Sequence, residues 1–212
     1  MKSDIFNSYA SLFAAITPAC MREMYLETAR QVNGSVIDCG SGPCKLAPYL
    51  VDTPDLLSYT GIDYSREMVA LGQQLLSSLA DSRFRVQCDS VDNIRGEFDN
   101  AVSLQSYYAW PNHVKSLTCI HQSLVPGGKF VIGTANNNLN LDDLLTDASK
   151  DWMLNPMWDS YMQHNRRIAQ NKSGRFDCLD TLIGELRSVG FSVKEAHTRF
   201  YNGGLNYVVC MK

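Results

Sequence analysis

Short β-branched and apolar runs alternate with stretches long enough for several helical turns through the middle of this chain, and that alternation restricts its folds more than any other feature. Residues 35–39 (SVIDC), 58–62, 84–88, 98–104 and 129–134 read as strands, and residues 44–51, 65–79 and 112–124 read as helices among them. Parallel neighbours need crossovers of about a dozen residues or more, and such crossovers turn right-handed, so the pattern predicts a mainly parallel sheet with helices on both faces. Upstream, Ile5, Phe6, Tyr9, Leu12, Phe13 and Ile16 recur at three and four, the period of one helix face. Thr17 followed by Pro18 predicts the N-cap and first position of a second helix running to Arg30. Downstream, a helix over 177–189 stopped by Gly190 leads into strands 191–200 and 205–210, joined through Asn202, Gly203 and Gly204. So short a connection makes an antiparallel hairpin. The expected class is α/β: a doubly wound, mainly parallel seven-stranded sheet with a reversed C-terminal hairpin.

The 212 residues suit one domain over 1–212, opened by helices within 1–33. Residues 136–175 break the pattern, because forty residues separate a strand from the next clear helix where ~2 to 6 are usual. Leu141, Leu144, Leu145 and Ala148, then Trp152, Met153, Trp158, Tyr161 and Met162, give this insertion a helical period of its own. Insertions at the carboxyl ends of parallel strands lie over the ligand crevice, so a helical lid is expected.

A formal charge of −3 spread along the chain leaves no basic face to neutralise phosphates, which argues against nucleic acid as a partner. Seven cysteines, with no pair at the two-residue spacing of zinc or redox motifs, read as reduced thiols, and no metal is expected. The first residues carry an acid and several polar side chains where a secretion signal needs an apolar run, and no window reaches the ~20 apolar residues of a membrane span. The expectation is a cytoplasmic protein with no membrane partner. Its oligomeric state is not set by the sequence.

The residues that carry chemistry begin with VIDCGSGPC, residues 36–44, where a buried strand delivers Asp38, Gly40 and Gly42 toward a helix. Glycines there allow a tight turn and close approach of a ligand to the backbone, and a following helix offers unpaired N–H groups. A dinucleotide fingerprint needs a third glycine three residues after the second, and Lys45 stands in that place. An acid at the end of the strand itself suits a cationic ligand better than a pyrophosphate.

In this register the chain resembles the class I S-adenosylmethionine-dependent methyltransferases of the small-molecule type. GIDYSREM (residues 61–68) looks like their second motif, CDS (88–90) their third, FDNAVSLQSYYAWPN (98–112) their fourth, and LVPGGKFVI (124–132) the turn and strand that follow. The resemblance covers residues 30–135 by motif and reaches the end by topology. It implies S-adenosylmethionine as cofactor, with Asp38, Gly40 and Gly42 in its pocket. By the same resemblance Asp63 holds the ribose hydroxyls, Tyr64 and Met68 pack beside adenine, Asp89 and Ser90 meet the adenine edge, and Gln105 borders the cofactor. Two departures stand out. Cys44 replaces a frequent glycine, so the next helix is expected to start slightly farther from the cofactor. Tyr108 and Ala109 replace a frequent pair of histidines. His121 is expected to pack or cap a helix, without chemistry.

The implied reaction is methyl transfer to a small-molecule acceptor whose attacking atom, oxygen, nitrogen, sulfur or carbon, is not set by these residues. Alignment alone can supply ~7 to 11 kcal/mol of such a barrier, and a general base adds ~100- to 10,000-fold where the acceptor must lose a proton. His113 leads the candidates for that base, followed by Tyr108 and His164, with Tyr107 beside them; His197 reads as structural. Phe6, Tyr9, Trp152, Trp158 and Tyr161 would form an aromatic wall over the acceptor. Arg166, Arg167, Lys172 and Arg175 would suit a substrate carboxylate, but Asp142, Asp143, Asp147 and Asp151 in the same insertion favour a solvated surface of mixed charge. Two other readings stay open at this level: a nicotinamide-dependent Rossmann oxidoreductase, and a module that binds S-adenosylmethionine without turning it over.

Overall fold

The computed structural model describes residues 3–170 and 174–212, with side chains from residue 6 onward. Five strands, β1 (Gly34–Cys39), β2 (Leu56–Asp63), β3 (Phe84–Cys88), β4 (Phe98–Leu104) and β5 (Leu124–Ala135), lie parallel, and β6 (Ser192–Thr198) and β7 (Leu205–Met211) complete one sheet of order β3-β2-β1-β4-β5-β7-β6. β7 inserts between β5 and β6 and runs against both. Reversal of order beside β1 puts a crevice at the carboxyl ends of β1 and β4, the place where such sheets bind ligands.

The helices are α1 (Ser3–Ala15), α2 (Ala19–Gln31), α3 (Ala47–Leu50), α4 (Arg66–Leu79), α5 (His113–Ser123), α6 (Leu141–Trp152), α7 (Trp158–Ala169) and α8 (Leu179–Ser188). Short polar residues start three of them: Ser65 accepts from the Met68 N–H, Asn112 from the Lys115 N–H and Asn140 from the Asp143 N–H. The start of α2 differs from expectation. Pro18, with ψ 158°, is the N-cap and Ala19 the first helical residue, while the Thr17 carbonyl accepts from Arg22.

The helix expected over 44–51 shortens to α3, because Cys44 adopts φ 59° and consecutive tight turns, Cys44 N–H to Ser41 and Ala47 N–H to Cys44, occupy the start. That left-handed backbone explains why glycine would be at ease there. The Cys44 thiol is fully buried where α4 crosses close at Gly72, to which a Cβ would bring an atom 3.0 Å from Sγ.

Two apolar layers hold the sheet, one around Met24, Leu50, Tyr59 and Tyr207, the other around Ile37, Leu117, Phe130 and Leu182. A third cluster joins α1, α6 and α7 through Tyr9, Ile16, Leu145, Trp158 and Tyr161, and includes Met68 of α4. These three helices therefore form a packed cover over the carboxyl edge of the sheet. No helix among the described residues is long and apolar enough to cross a membrane.

Candidate active site

Successive parallel strands bring three carboxylates to one edge: Asp38 in β1, Asp63 ending β2 and Asp89 just after β3. Asp38 is 3% exposed, and its Oδ2 accepts from the Tyr59 hydroxyl at 2.7 Å. Burial pushes its carboxyl up to about 7 despite that hydrogen bond. Both oxygens of Asp63 accept from backbone, Oδ2 from the Gly42 N–H and Oδ1 from the Ser65 N–H, each at 2.9 Å. The second strand's acid thus clamps the glycine turn to the start of α4, and burial raises its pKa. Asp89 is exposed and accepts from the Ser90 N–H and from Asn93, which hold its carboxyl below the usual range.

Glycine serves differently at the two positions of the turn. Gly40, at φ 76°, leaves its space to Ser106, whose Cβ would stand 2.3 Å from an added Cβ. Ser106 bonds the Cys39 carbonyl and Ser103, so close approach at Gly40 is made by protein rather than by a ligand. Gly42, at φ 53°, faces Phe13 and Met68 at ordinary contact distance. Lys45, in the place of the absent third glycine, is 7% exposed; it donates to the Ile16 carbonyl at 2.6 Å and lies 4.3 Å from the centre of the Phe13 ring. It ties the cover to the glycine turn, and burial brings its pKa down to about 7.

A cavity of about 410 Å³, within the range of small-molecule sites, runs from these acids to the underside of the cover. Asp38, Gly40, Gly42, Asp63, Tyr64 and Met68 line it, as do Asp89, Ser90 and Gln105, so every residue expected around the cofactor meets in one space. Gln105 is fixed there at φ 60° by its N–H to Gly133 and by its Oε1, which accepts from Ala135. An acid with one oxygen committed, a turn without a side chain at Gly42 and two further acids at the strand ends fit a ligand that is cationic at one end and carries hydroxyls and an amino group beyond.

The expected acceptor residues divide. Phe6, Tyr9, Tyr161 and Tyr108 line the cavity; Trp152 and Trp158 do not, and pack inside the cover instead, Trp158 stacked on Tyr161 at 5.5 Å. Neither expected histidine reaches the lining. His113 is 4% exposed and stacks on Tyr107 at 4.1 Å, behind the turn after β4, with its Nδ1 3.6 Å from Glu185 and its pKa lowered by burial. The Tyr107 hydroxyl donates to Glu185, turned away from the cavity. His164 lies on the outer side of Tyr9, stacked at 5.7 Å and near Ser8 and Ser160. Tyr108, stacked on Phe176, has its phenol pKa raised by burial, which disfavours the phenolate that a base would need.

His113, Asp177 and Glu185 bring ligand-type atoms within 4.8 Å of one another, but the Arg175 guanidinium already stands 2.6 Å from Asp177 and 2.8 Å from Glu185. That group is an ion-pair network. Arg166 pairs with Asp142 at the surface, and Lys172 lies outside the described residues. Among the described residues, the lining holds no Lys, Arg or His; its charged groups are Asp38, Asp63, Asp89 and Asp92. Asp92, Phe176 and Tyr201 belong to no motif that would single them out, whereas Trp110 lies within the fourth motif without an expected role.

Comparison with known proteins agrees with this geometry. A family model described as a methyltransferase domain matches residues 13–196. A carboxy-S-adenosyl-L-methionine synthase of Histophilus somni is 26% identical over 189 residues, covering 85% of this chain and 78% of its own. Among solved structures, a chain from the complex between the Haloferax volcanii Trm112 methyltransferase activator and the putative methyltransferase superposes with a TM-score of 0.73 at 15% identity, over 98% of this chain and 96% of that one. A putative S-adenosyl-L-methionine-dependent methyltransferase from Methanococcus maripaludis gives 0.66 at 20% identity, over 97% and 93%. With the motifs in order on a sheet of this topology, the chain belongs to the methyltransferase-domain family and is a class I methyltransferase that uses S-adenosylmethionine.

Proposed function

We propose that this enzyme transfers the methyl group to a small molecule held beneath α1, α6 and α7. The observation that carries the reading is that one cavity is lined both by the three acids at the strand ends and by residues of the helical cover. When bound, the cofactor supplies an activated methyl on a sulfonium. Asp38 would hold its amino group with the carboxylate oxygen that Tyr59 leaves free. Asp63 would take the ribose hydroxyls with its remaining lone pairs, Asp89 and Ser90 would meet the adenine edge, and Tyr64 and Met68 would flank the ring. Gln105 holds the turn between the two halves.

The cover excludes water and orients the acceptor, the two effects that this chemistry demands most. Burial disfavours ionisation of the Tyr108 phenol, and His113 supports Tyr107 from behind. The lining therefore supplies no neutral imidazole, which favours acceptors whose attacking atom is nucleophilic without a protein base. The Histophilus relative is named for a carboxylated cofactor, and a carboxylate would find no cation in this lining among the described residues. The seven free cysteines suit a reducing compartment such as the cytoplasm.

The test is incubation with methyl-labelled S-adenosylmethionine and a metabolite extract cleared of polymers, followed by mass analysis. Label in a small molecule is the expected result. Label found only when protein or RNA is restored would refute a small-molecule acceptor.

A further inference from the structure

Charge of one sign and aromatic rings from several elements meet in the lining. Among the described residues its charged groups are Asp38, Asp63, Asp89 and Asp92, and of these only Asp92 is ion-paired, to the Lys115 ammonium at 2.9 Å. Three aromatic pairs join segments distant in the chain: Phe6 of α1 with Tyr64 after β2 at 6.2 Å, Tyr9 of α1 with Tyr161 of α7 at 5.8 Å, and Tyr108 after β4 with Phe176 before α8 at 5.2 Å. All six rings line the cavity. The last pair is pinned by the Arg175 N–H, which donates to the Tyr108 carbonyl at 2.9 Å.

Carboxylates and π-systems both favour positive charge and disfavour an anion. Pairing of Asp38 with the cofactor's amino group leaves Asp63 and Asp89 charged, so the surroundings of an acceptor stay negative. The same lining offers neither phenolate nor imidazole to take a proton: burial raises the phenol pKa of Tyr9, Tyr108 and Tyr161, and no histidine is among the lining residues. An aliphatic amine, with a pKa of about 10.4 as in lysine, arrives protonated and has no lone pair to attack with. A pyridine-type nitrogen keeps its lone pair at neutral pH, has no proton to lose, and belongs to a flat ring that packs against other rings.

We infer that the acceptor is a neutral aromatic heterocycle methylated on a pyridine-type ring nitrogen, and that it leaves as a cation held among these rings and acids. The inference rests on the small-molecule acceptor proposed above and deepens it. The nitrogen lone pair forms the new bond to the methyl carbon while the carbon–sulfur bond breaks and its electron pair goes to sulfur. No proton is released, so no base is needed. One positive charge is present before and after the step, on sulfur first and on the heterocycle afterwards, and the lining suits it in both places. Phe176 is a specificity residue on this reading, acting through its ring.

The experiment uses the whole protein saturated with S-adenosylhomocysteine and titrated by calorimetry with two probes of matched shape, the cation 1-methylquinolinium and the neutral 1-methylnaphthalene. The cation is expected to bind about fivefold or more tightly than its neutral counterpart. Phe176→Leu should weaken the cation about three- to tenfold and the hydrocarbon less, with S-adenosylhomocysteine affinity unchanged as the check on folding. A merely structural ring would instead weaken both probes alike. Equal binding of the two probes, no binding of the cation, or equal losses in Phe176→Leu overturns the inference. Label passing only to protein or RNA in the extract experiment would overturn the proposed function itself, so the two failures are distinguishable.

Discussion

Asp38 carries its charge at a pH where few carboxylates titrate. Without ligand its pKa stands near 7, because burial outweighs the Tyr59 hydrogen bond, yet a cationic amino group needs the ionised form. Affinity for S-adenosylmethionine should therefore fall as pH drops below about 7, approaching tenfold per unit, as the site fills with a proton that must leave on binding. Calorimetry from about pH 5.5 to 7.5 measures this slope, and Asp38→Asn should flatten it. Asp63 and Asp89 separate in another way. Since Asp63 bonds two backbone N–H groups, Asp63→Ala should cost the ligand-free protein ~1.5 to 3 kcal/mol in denaturant unfolding and also weaken the cofactor. Asp89→Ala should leave the unfolding midpoint close to wild type, because water replaces an exposed carboxylate, and should weaken the cofactor less than Asp63→Ala does. At this scale the sequence displayed every acid that lines the strand ends, because each follows a recognisable strand. Tyr201 and the partnership of Lys45 with Ile16 were hidden, as both depend on segments distant in the chain.

The elements divide the labour between a sheet that binds and a cover that encloses. α7 is fastened to α1 where Asn165 donates to the Tyr9 hydroxyl at 2.9 Å, and Trp158 and Tyr161 fill the seam. Replacing residues 140–172 by a glycine-serine linker should leave cofactor affinity within about tenfold, since the acids and the glycine turn lie outside it, while abolishing transfer. Binding by calorimetry and turnover with labelled cofactor check the two halves; retained turnover would deny the cover its part in holding the acceptor. Element types were legible because the strands are short and β-branched and the helices periodic. Where boundaries moved, local backbone decided: φ 59° at Cys44 delayed α3, and the left-handed run from Phe200 ended β6 at Thr198. The histidines could not be placed from sequence, because direction around α5 and α7 is fixed by packing against Tyr107 and Tyr9 rather than by spacing.

Across the whole molecule, parallel order and the reversed last strand followed from connection lengths, whereas the path of the cover over the cavity did not, since the packing of α1 against α7 joins residues more than a hundred positions apart. Edge strand β6 is largely exposed and carries Lys194, Glu195 and His197, polar side chains that discourage another sheet from pairing there. The placement of tryptophan has a use of its own. All three indoles belong to the cavity or its cover, Trp110 on the lining and Trp152 and Trp158 at the facing ends of α6 and α7, and the sheet contributes none. Tryptophan emission, excited beyond the tyrosine band, is consequently an optical gauge of the site and its cover. Cofactor or acceptor entry should change the intensity through Trp110, and Trp110→Phe should remove most of that response while the pair in the cover continues to report its opening.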